Sequence, residues 1–174
     1  QRWQRRAGDR PARTGGLAEL ERRRLEMARA DRQLARLGRL PSVTKNGIEI
    51  RLEANIELPR ELDAVKAAGA AGIGLLRSEF LYMNRADVPS EQEQYENFRD
   101  IVLAMDGKPV TIRTFDAGGE KLATGLGGVS KTAPNPALGL RAIRLTLHQP
   151  RLLEDQLAAI LRAANHGPVR ILIP

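Results

Sequence analysis

The feature that most constrains the fold is a repeated alternation of short apolar runs with stretches of helical character. Helix-start signals lie between these runs, such as the capping box formed by Ser90 and Glu93. Strands that alternate with helices favour a parallel sheet with helices packed outside it. We therefore predict an α/β fold with four visible strands. These lie near residues 48–54, 72–77, 110–114 and 169–173.

Apolar spacing indicates which helix faces are buried. In a helix after Ser90, the predicted inward residues are Tyr95, Phe98, Val102 and Met105. In a helix from near Pro136, they are Leu140, Ile143 and Leu147. In a helix from about Pro150, they are Leu153, Leu157, Ile160 and Leu161. A glycine-rich stretch of little apolar content, residues 117–136, precedes the second of these helices and is typical of a functional or mobile loop.

The excess positive charge belongs to the N-terminal part of the chain. Residues 1–40 contain 12 arginines and five acidic residues, whereas residues 41–174 contain 16 basic and 16 acidic residues. Residues 1–16 have no apolar periodicity, and we expect a disordered basic segment there. Residues 17–40 show a narrow apolar seam on a charged background, which predicts a connector helix.

Composition excludes several classes of function. Residues 41–174 have no excess basic charge, and only 3% of the chain is aromatic, so this part is not suited to binding nucleic acid. No apolar run approaches the ~18 residues of a membrane span, and no apolar stretch follows the arginine-rich N-terminus to form a secretory signal. The chain has no cysteine, which excludes thiolate chemistry. We expect a cytoplasmic protein.

Three arginines, Arg77, Arg113 and Arg141, are the candidate functional residues. Arg77 and Arg113 end apolar strands, and Arg141 follows the glycine-rich stretch. Ligands of parallel α/β folds bind at the carboxyl ends of strands, and the planar guanidinium suits phosphate and carboxylate. The spacing therefore predicts a site for a small, multiply charged anion.

An alternative interpretation is that these arginines pair with acidic residues of the chain. Glu79 and Asp116 are close enough in sequence to serve as such partners. The polar glycine turn from Asp116 to Lys121 could place backbone donors near phosphate, but it lacks the spacing of a P-loop. We interpret His148 and His166 as surface or capping residues.

Three segments carry a resemblance to a known family. GIGLLRSEFLYMNRADVPSEQEQY, KPVTIRTFDAGGEK and NPALGLRAIRLTL resemble the barrel of Enzyme I of the bacterial sugar phosphotransferase system, in the right order and with similar spacing. Enzyme I is the phosphoenolpyruvate–protein phosphotransferase. The resemblance extends from about Leu17 to Pro174. Pyruvate phosphate dikinase and phosphoenolpyruvate synthase share this barrel, and LLRSEFLYMNR is closer to Enzyme I.

The resemblance implies a (β/α)8 TIM-type barrel that binds phosphoenolpyruvate with Mg²⁺. It implies transfer of the phosphoryl group to a histidine of a separate N-terminal domain and then to a histidine phosphocarrier protein for sugar uptake, by a homodimeric parent. Arg77 and Arg113 match substrate-binding arginines of the family, and Arg141 matches a third. Lys121 and Arg144 match positions common in the family, without a defined contact. Residues 17–40 resemble the family's connector helix and residues 41–174 about the first half of its barrel.

The departures from the family pattern concern the catalytic groups. Neither His148 nor His166 matches the phosphorylated histidine, and the carboxylates that hold Mg²⁺ and the cysteine acid/base have no counterpart here. Residues 123–132 are also unlike the family. The resemblance therefore implies a fragment that has no catalytic or metal-binding residue of its own and is inactive alone. Two alternatives stay open: a fragment of a dikinase or synthase, and a non-catalytic binding or regulatory module.

The expected half barrel generates a prediction about association. A full barrel needs about 250 residues, and an open sheet leaves unpaired edge strands that favour pairing between chains. We expect the isolated chain to be marginally stable or to self-associate. Size-exclusion chromatography with light scattering, together with calorimetry, tests this; a monomer that unfolds cooperatively contradicts it.

Overall fold

The computed structural model divides the chain into two compact units, residues 1–40 and residues 41–174. Each unit is considered by itself. The roles assigned above to residues 1–16, 17–40 and 41–174 stay predictions. The structure describes residues 14–38, 40–83, 85, 87–117, 135 and 138–174.

The first unit contains one long helix, α1, Thr14–Leu37. It begins three residues before the predicted start, and residues 1–13 of the expected basic segment lie outside the described residues. Charged neighbours support it, since Glu19 pairs with Arg22 at 2.8 Å and with Arg23 at 3.0 Å, the i,i+3 and i,i+4 spacings at which helix side chains meet. The seam residues are exposed on this helix: Leu20, Met27 and Leu34.

The second unit alternates strands with helices, as predicted. Its described elements are β1 (Ala54–Ile56), α2 (Leu62–Ala67), β2 (Ile73–Arg77), α3 (Glu91–Ala104), β3 (Val110–Arg113), α4 (Ala142–His148), α5 (Pro150–Ala163) and β4 (Val169–Leu172), with short 3-10 helices at Pro59–Glu61, Ser78–Tyr82 and Ala164–His166.

The four strands form one parallel sheet in the order β1-β2-β3-β4. Each strand therefore pairs with its neighbours in sequence, which confirms the predicted parallel α/β fold. The register places Arg77 opposite Arg113, and Arg113 opposite Leu172. Because these register partners are the last residues of their strands, β2, β3 and β4 end at a common level. Residues in register on parallel strands also project on the same face of the sheet.

The core lies around β2 and β3. Ile73 and Leu76 of β2 and Val110 and Ile112 of β3 are fully buried. They share one core with the buried residues of the helices, among which α3 and α5 pack against each other. The largest of these helix residues are Phe98, Ile101, Val102, Leu145 and Ile160. Burial of several such side chains at about 1.5–3 kcal/mol each dominates the stability of this unit.

The first strand lies later in the chain than predicted. Ile48, Ile50 and Leu52 have the period of a strand, but they are exposed and lie outside the sheet. The reason is local pairing: Thr44 N–H donates to the Ile48 carbonyl at 2.8 Å, and Ile50 N–H donates to the Ser42 carbonyl at 2.7 Å. These backbone groups are used within a short hairpin.

The predicted helix faces are right for α3 and wrong in part for α4 and α5. Phe98, Val102 and Met105 are buried, and Tyr95 packs against the core. Helix α4 begins only at Ala142, so Leu145 is its inward residue and Leu147 is exposed. On α5 the buried face includes Leu152, Gln156 and Ile160, whereas Leu161 is exposed.

The predicted capping box starts α3. Ser90 Oγ accepts from Glu93 N–H at 3.2 Å, and Ser90 N–H donates to Glu93 Oε2 at 2.8 Å. Hydrogen bonds from the Ser90 backbone and hydroxyl, with Arg85 nearby, lower the pKa of the Glu93 carboxyl. The charged form of Glu93 is therefore stabilised by folding, and this support for the helix is lost as the pH falls through that lowered pKa.

A close backbone approach at Gly72 generates a prediction. A Cβ atom there would lie 2.6 Å from the Pro109 carbonyl oxygen, and backbone cannot yield as a flexible side chain can. We expect Gly72→Ala to lower the free energy of unfolding by about 1–3 kcal/mol, the usual cost of overpacking. Chemical denaturation followed by circular dichroism measures this change.

The matched control is Gly16→Ala. A Cβ at Gly16, in α1, would meet nothing within 4 Å. This substitution should leave stability unchanged or raise it slightly, because alanine favours helix. Equal stability of the Gly72→Ala variant and the wild type would show that the β2–β3 approach is not tight.

Candidate functional site

The structure brings two of the three predicted arginines together at one end of the sheet. Arg77 is the last residue of β2 and Arg113 the last residue of β3, and their Cα atoms are register partners. Adjacent strands lie about 4.8 Å apart, so the two side chains leave the sheet side by side. Each arginine lies at a strand end because it follows the apolar residues that form the strand.

Asp116 joins Arg113 to Arg141. Arg113 Nη1 lies 3.1 Å from Asp116 Oδ2, and Arg141 Nη2 donates to Asp116 Oδ1 at 2.9 Å. Arg141 precedes α4 in an extended conformation, so it reaches the site from the chain that returns after the glycine-rich stretch. One carboxylate thus holds guanidinium groups from two distant parts of the sequence.

Glu79 holds the same cluster from the other strand end. Glu79 lies in the 3-10 helix that follows β2, and its Oε1 accepts from Arg113 Nη2 at 2.7 Å and from Asp116 N–H at 3.1 Å. Among the described residues, Glu79 Oε2 and Arg113 Nε are buried atoms without a hydrogen-bond partner. One acceptor and one donor of the cluster are therefore left unused among the described residues.

Arg77 has a different and more exposed partner. Its Nη1 donates to Glu57 Oε1, and the two side chains are 45% and 56% exposed. Glu57 N–H in turn donates to Glu61 Oε2 at 2.7 Å. Hydrogen bonds from the backbone of Glu57 and Leu58 lower the pKa of the Glu61 carboxyl, with smaller contributions from nearby arginines. Sequence reasoning missed Glu57 because it placed the first strand too early.

The remaining sequence candidates are Lys121, Arg144 and the two histidines. Lys121 lies outside the described residues. Arg144 Nη1 donates to the Leu138 carbonyl at 2.8 Å. His148 is exposed, and the His166 ring hydrogen-bonds with the Tyr95 hydroxyl at 3.1 Å on the surface. Within the described part of the chain, no group of three or more His, Cys, Asp or Glu residues is placed to hold a metal ion.

Gln156 is a residue near the site that sequence reasoning missed. It lies on α5 and is fully buried, its Oε1 accepts from Phe115 N–H at 2.7 Å, and its Nε2 donates to Ser78 Oγ at 3.1 Å. The sequence pattern that could have pointed to it is its helical spacing, which places Gln156 on the same apolar face as Leu152 and Ile160. A polar residue on such a face needs hydrogen-bond partners.

The charges of the site balance locally. Three arginines face three carboxylates, which agrees with the alternative that acidic residues of the chain engage the arginines. The pairs differ in strength: exposed ion pairs contribute about 0–1 kcal/mol, whereas the Arg113 side chain is only 20% exposed and holds two partners. The Arg77–Glu57 pair is therefore the weaker contact, and the pairs of Arg113 are the stronger ones.

Comparison with known proteins identifies the family. Residues 31–174 match the family described as PEP-utilising enzyme, PEP-binding domain. The chain belongs to this family. The match covers the whole parallel sheet and both strand-end arginines.

Several bacterial proteins that are similar to this chain share one name. The chain is 51% identical over 159 residues to the phosphoenolpyruvate-protein phosphotransferase of Cupriavidus necator, which is 91% of this chain and 27% of that protein. It is 42% identical over 158 residues to the protein of the same name from Staphylococcus carnosus, again 91% and 27%. It is 45% identical over 133 residues to the protein of the same name from Latilactobacillus sakei, which is 76% of this chain and 23% of that protein. The chain thus spans about a quarter of these curated relatives.

These similarities confirm the resemblance predicted from the three motifs, and they do not favour the dikinase or synthase alternative. In the part of the chain that the structure describes, we find no helix long and apolar enough to cross a membrane.

The double role of Asp116 generates a stability prediction. Asp116→Asn removes the charge that pairs with both Arg113 and Arg141, so that Arg113 keeps only its ion pair with Glu79 and Arg141 loses its pair with Asp116. We expect a loss of about 1.5–3 kcal/mol in the free energy of unfolding. Thermal and denaturant unfolding of the purified chain measure it.

The control is Asp100→Asn, whose carboxylate pairs with Arg99 on the surface of α3. An exposed pair of this kind contributes about 0–1 kcal/mol, so the control should stay close to the wild type. If both substitutions cost the same, Asp116 does not organise the cluster.

Proposed function

We propose that this chain is the phosphoenolpyruvate-binding part of a phosphoenolpyruvate–protein phosphotransferase, and that Arg77, Arg113 and Arg141 bind the substrate. The observation that carries the proposal is the register pairing of Arg77 with Arg113 at the carboxyl ends of β2 and β3, with Asp116 linking Arg113 to Arg141. Family membership and the names of the relatives support it.

The charge of the ligand fits this arrangement. A phosphate ester with a carboxylate carries about three negative charges near neutral pH, and arginine forks bind both groups through paired hydrogen bonds. Arg77 would exchange its exposed partner Glu57 for the ligand. Arg113, held by Glu79 and Asp116, would present a guanidinium that does not need to be ordered on binding. Such fixed positive charge favours positioning of the phosphoryl group for transfer.

We propose further that the sheet forms part of a TIM-type (β/α)8 barrel. The strand order follows the sequence without a reversal, as in a barrel and unlike a doubly wound sheet. Glu53, which precedes β1, pairs with Arg170 of β4 at 3.1 Å, so one ion pair spans the two inner strands. Gly74 on β2 leaves room for it, since a Cβ there would lie 3.1 Å from Glu53 Cβ. These contacts support a concave polar face.

Magnesium, which the sequence resemblance implies, does not fit the residues that the structure describes. The carboxylates of Glu79 and Asp116 are engaged by arginines, and no metal-binding cluster is found among the described residues. No step of the proposal uses the metal. The chain's own contribution is to bind, orient and neutralise the substrate.

The wider pathway is part of the same proposal. We propose that the complete protein passes the phosphoryl group to its own histidine and then to a histidine phosphocarrier protein, in sugar uptake, as a cytoplasmic homodimer. The transfer requires groups beyond the arginine cluster, because neither His148 nor His166 lies in it. The arginine cluster therefore accounts for the recognition of phosphoenolpyruvate in this proposal.

A titration with phosphoenolpyruvate tests the binding site. The wild-type chain should bind saturably, and Arg77→Ala and Arg113→Ala should each weaken binding by roughly 1.5–3 kcal/mol, the range for hydrogen bonds to charged groups. Isothermal titration calorimetry and amide chemical shifts measure the affinity. Arg113→Ala should also lower the melting temperature, because it removes the ion-pair partner of Glu79 and one of the two partners of Asp116, whereas the exposed Arg77 should affect binding alone.

Arg99→Ala is the matched control. Arg99 also pairs with an acidic residue, but on α3 and away from the strand ends. Its removal should leave the affinity unchanged. Lack of saturable binding, or an equal effect of all three substitutions, would refute the assignment of the site.

A further inference from the structure

Gln156 is the buried polar residue that the proposed function does not use. It lies in the middle of α5 and is fully buried between Leu152 and Ile160, on the face that packs into the core. A buried amide without partners is costly. Here both ends are used: the oxygen accepts from Phe115 N–H at 2.7 Å, and the nitrogen donates to Ser78 Oγ at 3.1 Å. The Phe115 donor fixes the orientation of the amide.

The two partners of Gln156 belong to the two segments that form the site. Ser78 lies between Arg77 and Glu79, directly after β2, and is fully buried. Phe115 directly precedes Asp116, two residues after the end of β3. One side chain of α5 therefore ties the segment that carries Arg77 to the segment that carries Asp116, from the core side.

Glu79 connects the same two segments through the cluster itself. Its Oε1 accepts from Arg113 Nη2 and from Asp116 N–H. The backbone N–H groups of Phe115 and Asp116 are thus held by two different side chains, Gln156 and Glu79. Without the Gln156 amide, the Phe115 N–H loses its partner, and the segment that carries the Asp116 carboxylate loses one of its hydrogen bonds.

We propose that Gln156 is a positioning residue for the anion site. It does not touch the ligand, and it acts by fixing Ser78 and Phe115 so that Arg77, Arg113 and Asp116 keep their relative places. Binding groups need such support, because a guanidinium binds an anion well only when its own orientation is held by hydrogen bonds and packing. An apolar side chain of the same length would pack as well and would not perform this task.

This inference rests on the proposed function, and Gln156→Met tests it. Methionine keeps the length and the apolar contacts and removes both hydrogen bonds. We expect the dissociation constant for phosphoenolpyruvate to rise about tenfold at a temperature well below the melting transition. The Nε–H resonance of Arg113 in the unliganded variant should broaden or shift. Ser78→Ala, which removes one hydroxyl, should weaken binding by a smaller factor and should add little to Gln156→Met, because both break the same link.

Ile160→Val is the matched control. It deletes a methyl group from the same buried face of α5 without touching either strand-end segment, so it lowers stability and should leave both the affinity and the Arg113 resonance unchanged. If Gln156→Met does not fold, Ser78→Ala provides the test. Variants at Gln156 and Ser78 that bind as the wild type overturn the inference. If Arg113→Ala also binds as the wild type, the proposed function itself has failed.

Discussion

The parallel pairing of β2 with β3 is the constraint on which the rest of this structure depends. It is made of buried residues, Leu76 opposite Ile112 and Ile73 opposite Val110, and the tight approach at Gly72 belongs to it. Because both strands run in the same direction and end together, Arg77 and Arg113 must leave the sheet as neighbours. Hydrophobic burial thus places two like charges side by side, an arrangement that needs counter-charges to be stable.

The carboxylates of the chain provide those counter-charges. Glu79 and Asp116 hold Arg113, Asp116 also holds Arg141, and Glu57 holds Arg77. The two interpretations of the arginines, as an anion site and as partners of local acids, are therefore compatible. Acidic residues that neutralise the site in the absence of ligand also orient the guanidinium groups. The pairs differ in exposure, and under the proposed function the more exposed Arg77 is the one that exchanges its partner for the ligand.

The two faces of the sheet have different tasks. The face with Val110 and Ile112 packs into the helices, whereas the face with Thr111 and Arg113 is polar, and Arg170 lies in register with Thr111. The ion pair between Glu53 and Arg170 crosses this polar face. This polar face does not form part of the hydrophobic core. The strand ends can therefore carry charged residues, while the opposite face supplies the stability.

Much of the fold could be predicted from local patterns. The buried strands around Arg77 and Arg113, the parallel α/β arrangement and the capping box of α3 follow from apolar runs and helix-start signals, which depend on near neighbours in sequence. The first strand could not be placed this way, because Ile48 and Ile50 have a strand period but satisfy their backbone in a hairpin. For α4, the inward face depended on where the helix begins after Arg141.

The sequence by itself determined the fold class, the family and the identity of the strand-end arginines. Periodicity, strand-end position and the three segments that resemble the family are local properties that can be read along the chain. Only the tertiary structure decided the partners: that Asp116 serves two arginines, that Glu57 pairs with Arg77, and that the amide of Gln156 lies between Ser78 and Phe115. Apart from the pair of Asp116 with Arg113, these contacts join residues 20 to 78 positions apart. Contacts between residues far apart in the chain leave no local sequence pattern, so the packing of the whole unit had to specify them.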